Sequence, residues 1–516
     1  MHVSSDTERT KTLRALTAAP LDLLVIGGGI VGAGVARDAA MRGLKTGLVE
    51  QHDFAFGTSS RSSRLLHGGL RYLAQGRIGL VHEASVEKKI IHHIAPHLAA
   101  PLPFLFPTYR GDKHWVLWQL KIGVKIYDLL CGGRNLGQST WLNRATVGAR
   151  VPALTQTGLS GAVRYYDGFT NDARLVLDTL RSATQHGAAL LNYTRFTAAT
   201  HTDLWECDVT EQLTGQSCKL RARAVVNATG PWADGLSHSA VKLRVTKGVH
   251  LVVDWLRVPV PDTVVMTEGK RILFAIPWGE RTILGTTDTD HTGDTDHVYA
   301  EVADIAYVLE VTNRFFPRAQ LKTGDVISAW AGLRPLLADP HGKPSELSRS
   351  HEITSPQPGW WDVAGGKLTT YRLMAEQAVD RIVKDLRGKQ TLPPELKPCH
   401  TATEPLLSAA QSNPFSGILP PEFQQAAVAH FCAQEWAVHL DDVMVRRTSW
   451  HYYHRDATAR ADQVSHWMGA LLGWSESQRQ AELERYHLMT GCQSAGENSS
   501  AARPQVRHEQ PPLSVV

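Results

Sequence analysis

The sequence predicts a mixed α/β protein, α/β at its N-terminal end and α+β overall, with a mostly antiparallel β unit inserted and a helical unit at the end. Three observations carry this. An apolar run, Asp22-Leu23-Leu24-Val25-Ile26, passes straight into Gly27-Gly28-Gly29-Ile30-Val31-Gly32, then into a small-residue helix over 33–42 and a second apolar run over 44–49. Residues 245–290 alternate apolar and polar with a period near two, the mark of antiparallel strands. Residues 423–489 are rich in helical spacing.

The first element is a Rossmann-like βαβ unit. Gly27 makes the tight turn out of the strand, Gly28 belongs to the same cradle, Gly29 lets the backbone approach a pyrophosphate, and Gly32 lets the helix pack close to the strand. The start of the helix offers unbonded N–H groups and the positive end of its dipole to phosphates. Glu50, just past the second strand, is placed to accept a hydrogen bond from an adenosine ribose hydroxyl. An acid there disfavours a 2′-phosphorylated cofactor. The unit alone leaves NAD and FAD open, although its place near the N-terminus of a long chain leans toward FAD.

A chain of 516 residues exceeds one core and suggests about two to four domains. Its 43% hydrophobic and 20% charged content is that of a soluble globular protein. A net charge of +4 is too small to argue for a nucleic-acid partner, though it allows a locally basic surface. The six cysteines (131, 207, 218, 399, 432 and 492) are scattered with no CxxC pair. They read as reduced thiols of a cytoplasmic protein, not as a disulfide framework or a metal site. Residues 1–20 lack the apolar core of a signal peptide. No run of about 18 uncharged apolar residues exists, so no transmembrane helix is expected.

Along the chain, 1–17 reads as a flexible extension, disordered or loosely helical, and 81–95 as a helix. The prolines of 101–107 force an extended loop. Residues 113–130 form a strong helix candidate in which Trp115, Trp118, Ile122, Ile126, Leu129 and Leu130 make a broad apolar arc, with Lys113, Lys121 and Lys125 on the other side. A helix over 172–186 precedes strands around 188–209 and 217–228; a further helix spans 302–315. Residues 393–421 form a linker and 491–516 a disordered tail.

Three further stretches are hard to explain as packing: Thr58-Ser59-Ser60-Arg61-Ser62-Ser63-Arg64-Leu65-Leu66-His67-Gly68-Gly69-Leu70-Arg71-Tyr72, Ala329-Trp330-Ala331-Gly332-Leu333-Arg334-Pro335-Leu336, and Ala364-Gly365-Gly366-Lys367-Leu368-Thr369-Thr370-Tyr371-Arg372. With the opening glycine run, they resemble the FAD-dependent glycerol-3-phosphate dehydrogenases. Two signatures of that family read in full, 26–43 and 365–375. The likeness extends to Asn227-Ala228-Thr229-Gly230-Pro231-Trp232, Lys247-Gly248-Val249-His250, Ile283-Leu284-Gly285-Thr286-Thr287-Asp288 and, in the helical tail, Val445-Arg446-Arg447-Thr448.

The resemblance implies a discontinuous FAD-binding domain over 18–90, 170–240 and 335–390, a substrate-binding, membrane-facing domain over 91–169 and 241–334, and a helical domain over 400–490. The helices of the last are a candidate cap on the active site or a homodimer contact. The implied substrate is glycerol 3-phosphate, a secondary alcohol bearing a phosphate dianion. The site should then hold cations for the phosphate and a base for the hydroxyl proton while hydride passes from C2 to flavin N5. Arg334, between Gly332 and Pro335, suits bidentate phosphate contact, with Arg71 and Lys367 beside it. His250 is the favoured base and His67 the positioning group, with the reverse left open. Thr58, Ser59 and Ser60, the strand-end Ala228-Thr229-Gly230, and the turn Gly365-Gly366-Lys367-Leu368-Thr369 are the remaining candidates for holding FAD.

For the electrons the family offers a membrane quinone or dioxygen. A basic, tryptophan-bearing amphipathic helix at 113–130 is of the type that lies in a membrane interface. The competing reading buries its apolar arc in the core. The favoured expectation is a quinone-reducing enzyme held peripherally on the cytoplasmic face of the membrane. A glycerol-3-phosphate oxidase is the main alternative. A non-catalytic flavin-binding module is the remote one, since the phosphate cations are all present.

Overall fold

The computed structural model describes residues 5–73, 76–112, 114–131, 135–338, 351–388, 395–408 and 411–490. The tail expected to be disordered, 491–516, lies outside them. Two sheets organise the chain. The first has eight strands, β1 (Leu21–Ile26), β2 (Thr46–Val49), β7 (Ala189–Leu191), β8 (Thr194–His201), β9 (Trp205–Glu211), β10 (Gln216–Asn227), β17 (His351–Gln357) and β18 (Trp360–Gly365). Its order is β17-β18-β10-β1-β2-β7, with β8 and β9 paired alongside the first half of β10. The pairs β18–β10, β10–β1, β1–β2 and β2–β7 are parallel. Their carboxyl ends therefore share one edge, where ligands bind in open α/β sheets.

The second sheet has ten strands, β3 (Leu65–Leu66), β4 (Ala99–Tyr109), β5 (Thr140–Leu142), β6 (Leu159–Thr170), β11 (Leu243–Asp254), β12 (Thr263–Glu268), β13 (Arg271–Trp278), β14 (Arg281–Gly285), β15 (Thr289–Asp290) and β16 (Val326–Leu337). Its pairs are antiparallel except β12 with β4, as the period-two pattern predicts.

The helices are α1 (Ser5–Ala18), α2 (Ile30–Met41), α3 (Ile78–Ile94), α4 (Leu117–Leu130), α5 (Arg144–Arg150), α6 (Asp172–Gln185), α7 (Val302–Phe315), α8 (Tyr371–Gly388), α9 (Gln425–Gln434), α10 (Trp450–Tyr453), α11 (Ala457–Leu472) and α12 (Glu476–Thr490). Ala33, Ala36 and Ala39 of α2 join Leu177 of α6 and Met374 of α8 in the core of the first sheet. The small residues permit this closeness: a Cβ on Gly34 would stand 3.0 Å from the Tyr371 ring. Helices α9 and α11 pack with α12 around Phe431, Trp450, Val464 and Tyr486 in a separate apolar cluster.

Three expectations are corrected. The extension 1–17 is helical from Ser5 onward, as one of its two readings had it, but docked instead of flexible: Leu16 is buried, and Arg9 bonds the Asn192 side chain at 2.6 Å and Glu211 at 2.7 Å. The proline loop 101–107 is strand β4. Pro101, Pro103 and Pro107 share one parity, so their missing N–H groups all fall on one side of the strand, which lies between β6 and β12. The ladder with β6 then runs the length of the strand, from Ala99↔Thr170 to Tyr109↔Leu159 with one irregularity near its end. Finally, α4 starts at Leu117 and turns Leu120, Val124 and Tyr127 inward. The predicted apolar arc is split: Trp118 is 61%, Ile122 52%, Ile126 43% and Leu129 73% exposed, whereas Trp115 and Leu130 pack against a core cluster. Lys113 lies outside the described residues.

Candidate active site

The carboxyl edge of the parallel strands gathers four of the sequence candidates. β1 ends at Ile26 and enters the Gly27–Gly29 turn, β2 ends beside Glu50, β10 ends at Asn227 before Ala228-Thr229-Gly230, and β18 ends at Gly365. Gly27 has φ +110, a left-handed value that favours glycine, and a Cβ there would stand 2.6 Å from the Ala228 carbonyl oxygen. At Gly32 a Cβ would stand 1.9 Å from the Gly27 carbonyl oxygen. The helix therefore approaches the turn as closely as backbone allows. Glu50 accepts the N–H of Gly28 at 2.7 Å and that of His52 at 2.8 Å, and burial pushes its pKa up. Thr229 caps its own turn, its hydroxyl donating to Asn227 Oδ1 at 2.7 Å.

The segment 57–69 ties this edge to the second sheet. Ser59 Oγ accepts the N–H of Ile30 at 3.0 Å, at the N-terminus of α2. The hydroxyl of Thr58 donates to the Leu333 carbonyl at 2.6 Å, and a Cβ on Gly332 would meet the Arg61 carbonyl at 2.5 Å, so the segment lies flat on β16. Ser60 is buried between these contacts. Ser63 Oγ meets His250 Nε2 at 2.7 Å. The N–H of His67 donates to Thr369 Oγ1 at 3.0 Å, bringing His67 onto the turn that carries Gly366, Lys367 and Leu368. One segment thus contacts the helix start, both strands that carry the Lys247–His250 and Ala329–Leu336 stretches, and the Gly365–Thr369 turn.

His250 lies on β11 opposite Gly285 of β14 and Trp330 of β16. It is buried, and its ring stacks on Trp330 with centroids 5.2 Å apart at 20°. Burial, then the cations Arg334 and Arg64, push its pKa down to about 3, so it is neutral at physiological pH, with its protonated form disfavoured. Arg334 lies on β16 opposite Thr246 and donates to Thr286 Oγ1 and Asp288 Oδ1, each at 2.9 Å. A Cβ on Gly248 would fall 2.4 Å from Arg334 Nη2, so only glycine leaves room for the guanidinium. Lys367 Nζ lies 4.2 Å from the Tyr72 ring centroid. Arg71 belongs to the short helical turn Leu70–Tyr72, and its side chain lies outside what is described.

Several groups here escaped sequence reasoning. Arg64 is buried near His250 and carries a positive φ. Asp172 at the start of α6 accepts the N–H of Ser62 at 2.9 Å. Tyr127 of α4 takes the N–H of Gly68. Asp53, just past Glu50, is a buried carboxylate held by Arg446 at 2.5 Å and by Arg447. Burial alone would raise its pKa, but the two guanidiniums hold it well below the usual carboxylate range. The Val445-Arg446-Arg447-Thr448 stretch was visible as a motif; its partner 393 or more residues away was not.

FAD fits this edge: a glycine cradle, the N-terminus of α2 and an acid beside Gly28 stand together where the parallel strands end. The chain matches the family described as FAD dependent oxidoreductase over residues 22–381 and the C-terminal domain of alpha-glycerophosphate oxidase over 412–479. It is 35% identical over 538 aligned residues to Glycerol-3-phosphate dehydrogenase 2 of Mycobacterium tuberculosis (strain ATCC 25618 / H37Rv), covering 93% of this chain and 89% of that protein. It is 38% identical over 390 residues to the aerobic glycerol-3-phosphate dehydrogenase of Staphylococcus aureus (strain MRSA252), covering 74% and 70%. Among solved structures it resembles the glycerol-3-phosphate dehydrogenase of Bacillus halodurans complexed with FAD, with a TM-score of 0.74, 30% identity and coverage of 94% and 97%. The L-alpha-glycerophosphate oxidase of Mycoplasma pneumoniae with FAD bound shares the fold, with a TM-score of 0.60, 18% identity and coverage of 76% and 100%.

Proposed function

Because the chain belongs to the family of FAD-dependent glycerol-3-phosphate dehydrogenases, we propose that it oxidises sn-glycerol 3-phosphate to dihydroxyacetone phosphate and passes the electrons to a membrane quinone. FAD, when bound, supplies the two-electron acceptor for the hydrogen on C2. The residues of the chain do the rest. Gly27, Gly28, Gly29 and Gly32 with the start of α2 receive the pyrophosphate. Glu50 receives the ribose. Thr58, Ser59, Ser60, the Ala228–Gly230 turn and the Gly365–Thr369 turn line the path toward the flavin end. Arg334, Arg71 and Lys367 hold the substrate phosphate. His250 takes the C2 hydroxyl proton, and His67, fixed to Thr369, positions the reacting centre.

The observation that carries the quinone reading is the outer face of α4. Trp118, Ile122, Ile126 and Leu129 are exposed together, and the half-exposed Trp141 beside them holds Lys121 Nζ 3.9 Å from its ring centroid. An apolar, tryptophan-bearing face with lysines at its rim suits a lipid interface. No helix among the described residues is long and apolar enough to cross a membrane, so the attachment is peripheral, and we place it on the cytoplasmic leaflet. Anaerobic titration of the yellow protein with glycerol 3-phosphate should bleach the flavin, and flotation should carry the protein up with liposomes. Bleaching without flotation, joined to fast peroxide formation in air, would instead make the chain an oxidase. No bleaching would reject the substrate.

A further inference from the structure

Arg64 is held in a setting that packing alone does not require. Its φ of 58 is left-handed, unusual for a residue with a side chain. Its guanidinium is buried, with Nε 3.9 Å from Asp172 Oδ1 and Nη2 donating to Ser449 Oγ at 3.0 Å. It lies 4.4 Å from the ring centroid of Trp278 and 5.5 Å from that of Trp330. Nε and Nη1 have no hydrogen-bond partner among the described residues. Ser449, also left-handed with φ 59, precedes α10 in the C-terminal helical unit. The neighbouring residue Ser63 carries the hydroxyl that meets His250 Nε2, and Trp330, one of the two rings facing Arg64, is the ring stacked on His250.

We propose that Arg64, steered by Ser449 of the C-terminal helical unit, is a positioning residue that seats His250 on Ser63 and Trp330 and sets its readiness to take a proton. This rests on His250 being the base of the proposed reaction. A buried cation beside an imidazole disfavours its protonated form through space. The other charge bearing on His250 is Arg334 from β16. From β14 it faces Gly285, and from α10 Tyr452 packs on the far part of its stack, against Trp330 at 5.0 Å; neither carries charge at neutral pH. Asp172 of α6 stands beside Arg64 as its counter-ion. The Ser449 hydroxyl fixes Nη2, so the guanidinium is kept from collapsing fully onto Asp172, where its field at His250 would be neutralised.

The test is the pH profile of flavin reduction by glycerol 3-phosphate, in FAD-loaded protein jumped from about pH 7 to final values down to about pH 3, so that the scan crosses the lowered pKa of His250. Arg64→Met, which keeps length and removes charge, should move the acid limb up by about one unit or more, while Arg64→Lys should keep the limb of the unaltered chain. The shift should vanish in a His250→Gln background, as a double-mutant cycle requires of a residue acting through His250. Ser449→Gly keeps the left-handed backbone and removes only the hydroxyl. It should shift the limb in the same direction by less, and it carries the test if Arg64→Met fails to load FAD. A loaded Arg64→Met or, failing that, a Ser449→Gly variant whose profile superimposes on the parent overturns the proposal. So does a shift that persists without His250. An unaltered chain whose flavin never bleaches rejects the function itself, and this role with it.

Discussion

The phenolic oxygen of Tyr127 accepts the backbone N–H of Gly68 at 2.8 Å, so the helix that presents the apolar outer face also holds the turn after His67. Tyr127 in turn donates to Asp167 Oδ1, which Lys88 Nζ meets at 2.8 Å. A Cβ on Gly68 would lie 2.4 Å from the Tyr127 oxygen, so the turn is seated directly on the side chain. Tyr127→Phe keeps the ring and leaves Gly68 N only Asp167 Oδ1 at 3.3 Å. The loss of a buried hydrogen bond should cost about 1–2 kcal/mol in thermal unfolding. Flavin reduction by glycerol 3-phosphate should slow by about tenfold, as a displaced His67 loses its geometry. A destabilised variant that reduces at the parent rate would separate Tyr127 from the chemistry.

The outer face of α4 makes a different prediction, because its residues touch nothing in the site. Burying one large apolar side chain in lipid contributes about 1.5–3 kcal/mol, so each of Trp118→Ser, Ile122→Ser and Leu129→Ser should weaken vesicle binding by roughly tenfold or more. FAD content and anaerobic bleaching should be unchanged. Flotation that survives all three together would exclude this face as the attachment surface.

Gly32 separates two roles a glycine can have here. With a Cβ placed 1.9 Å from the Gly27 carbonyl oxygen, Gly32→Ala must push α2 away from the turn and open the cradle. The expected outcome is a chain purified colourless, with flavin not restored by added FAD. A yellow, fully active Gly32→Ala protein would show that the cradle tolerates the displacement and that the tight approach is not what holds the cofactor.

The glycine turn was legible because its information is local: Gly27, Gly29, Gly32 and Glu50 lie within one βαβ unit and their spacing states their geometry. His250, Arg334 and Lys367 were legible only as motif members, since nothing in their immediate neighbours says that residues 57–69 join them. Arg64 was not legible at all. Its partner Ser449 lies 385 positions away, and by composition it reads like the other arginines of the serine-rich run. Strand β4 was misread because proline content was weighed without its parity, which decides whether a missing N–H breaks a ladder. The arc read on α4 was only partly right: Trp118, Ile122, Ile126 and Leu129 point outward, but Trp115 and Leu130 pack inward. Which way the arc points is a tertiary fact that periodicity does not hold.

The buried histidines predict the acid side of the stability profile. His451, buried with Nδ1 2.7 Å from Tyr486 Oη, has its pKa lowered to about 4, first by burial and then by His487. His250 lies at about 3 and His454 at about 4, each lowered mainly by burial. Each is ordinary at 6.5 when the chain unfolds, so between those values the unfolded state binds more protons. Stability is then fully present above pH 6.5 and is lost as pH falls toward 4. His439 works in the opposite sense: burial opposes its charge, but Glu482 at 2.7 Å and Asp442 raise its pKa, and its contribution is lost as pH rises through that raised value. Asp53, held far below the carboxylate range, stays ionised throughout this window. Thermal unfolding of the FAD-loaded protein should therefore drop between pH 7 and pH 5. His451→Gln, which can still bond Tyr486, should flatten that drop, by up to about 2 kcal/mol at its acid end. An unchanged pH slope in the variant would mean that His451 takes up its proton as readily in the folded state as in the unfolded one.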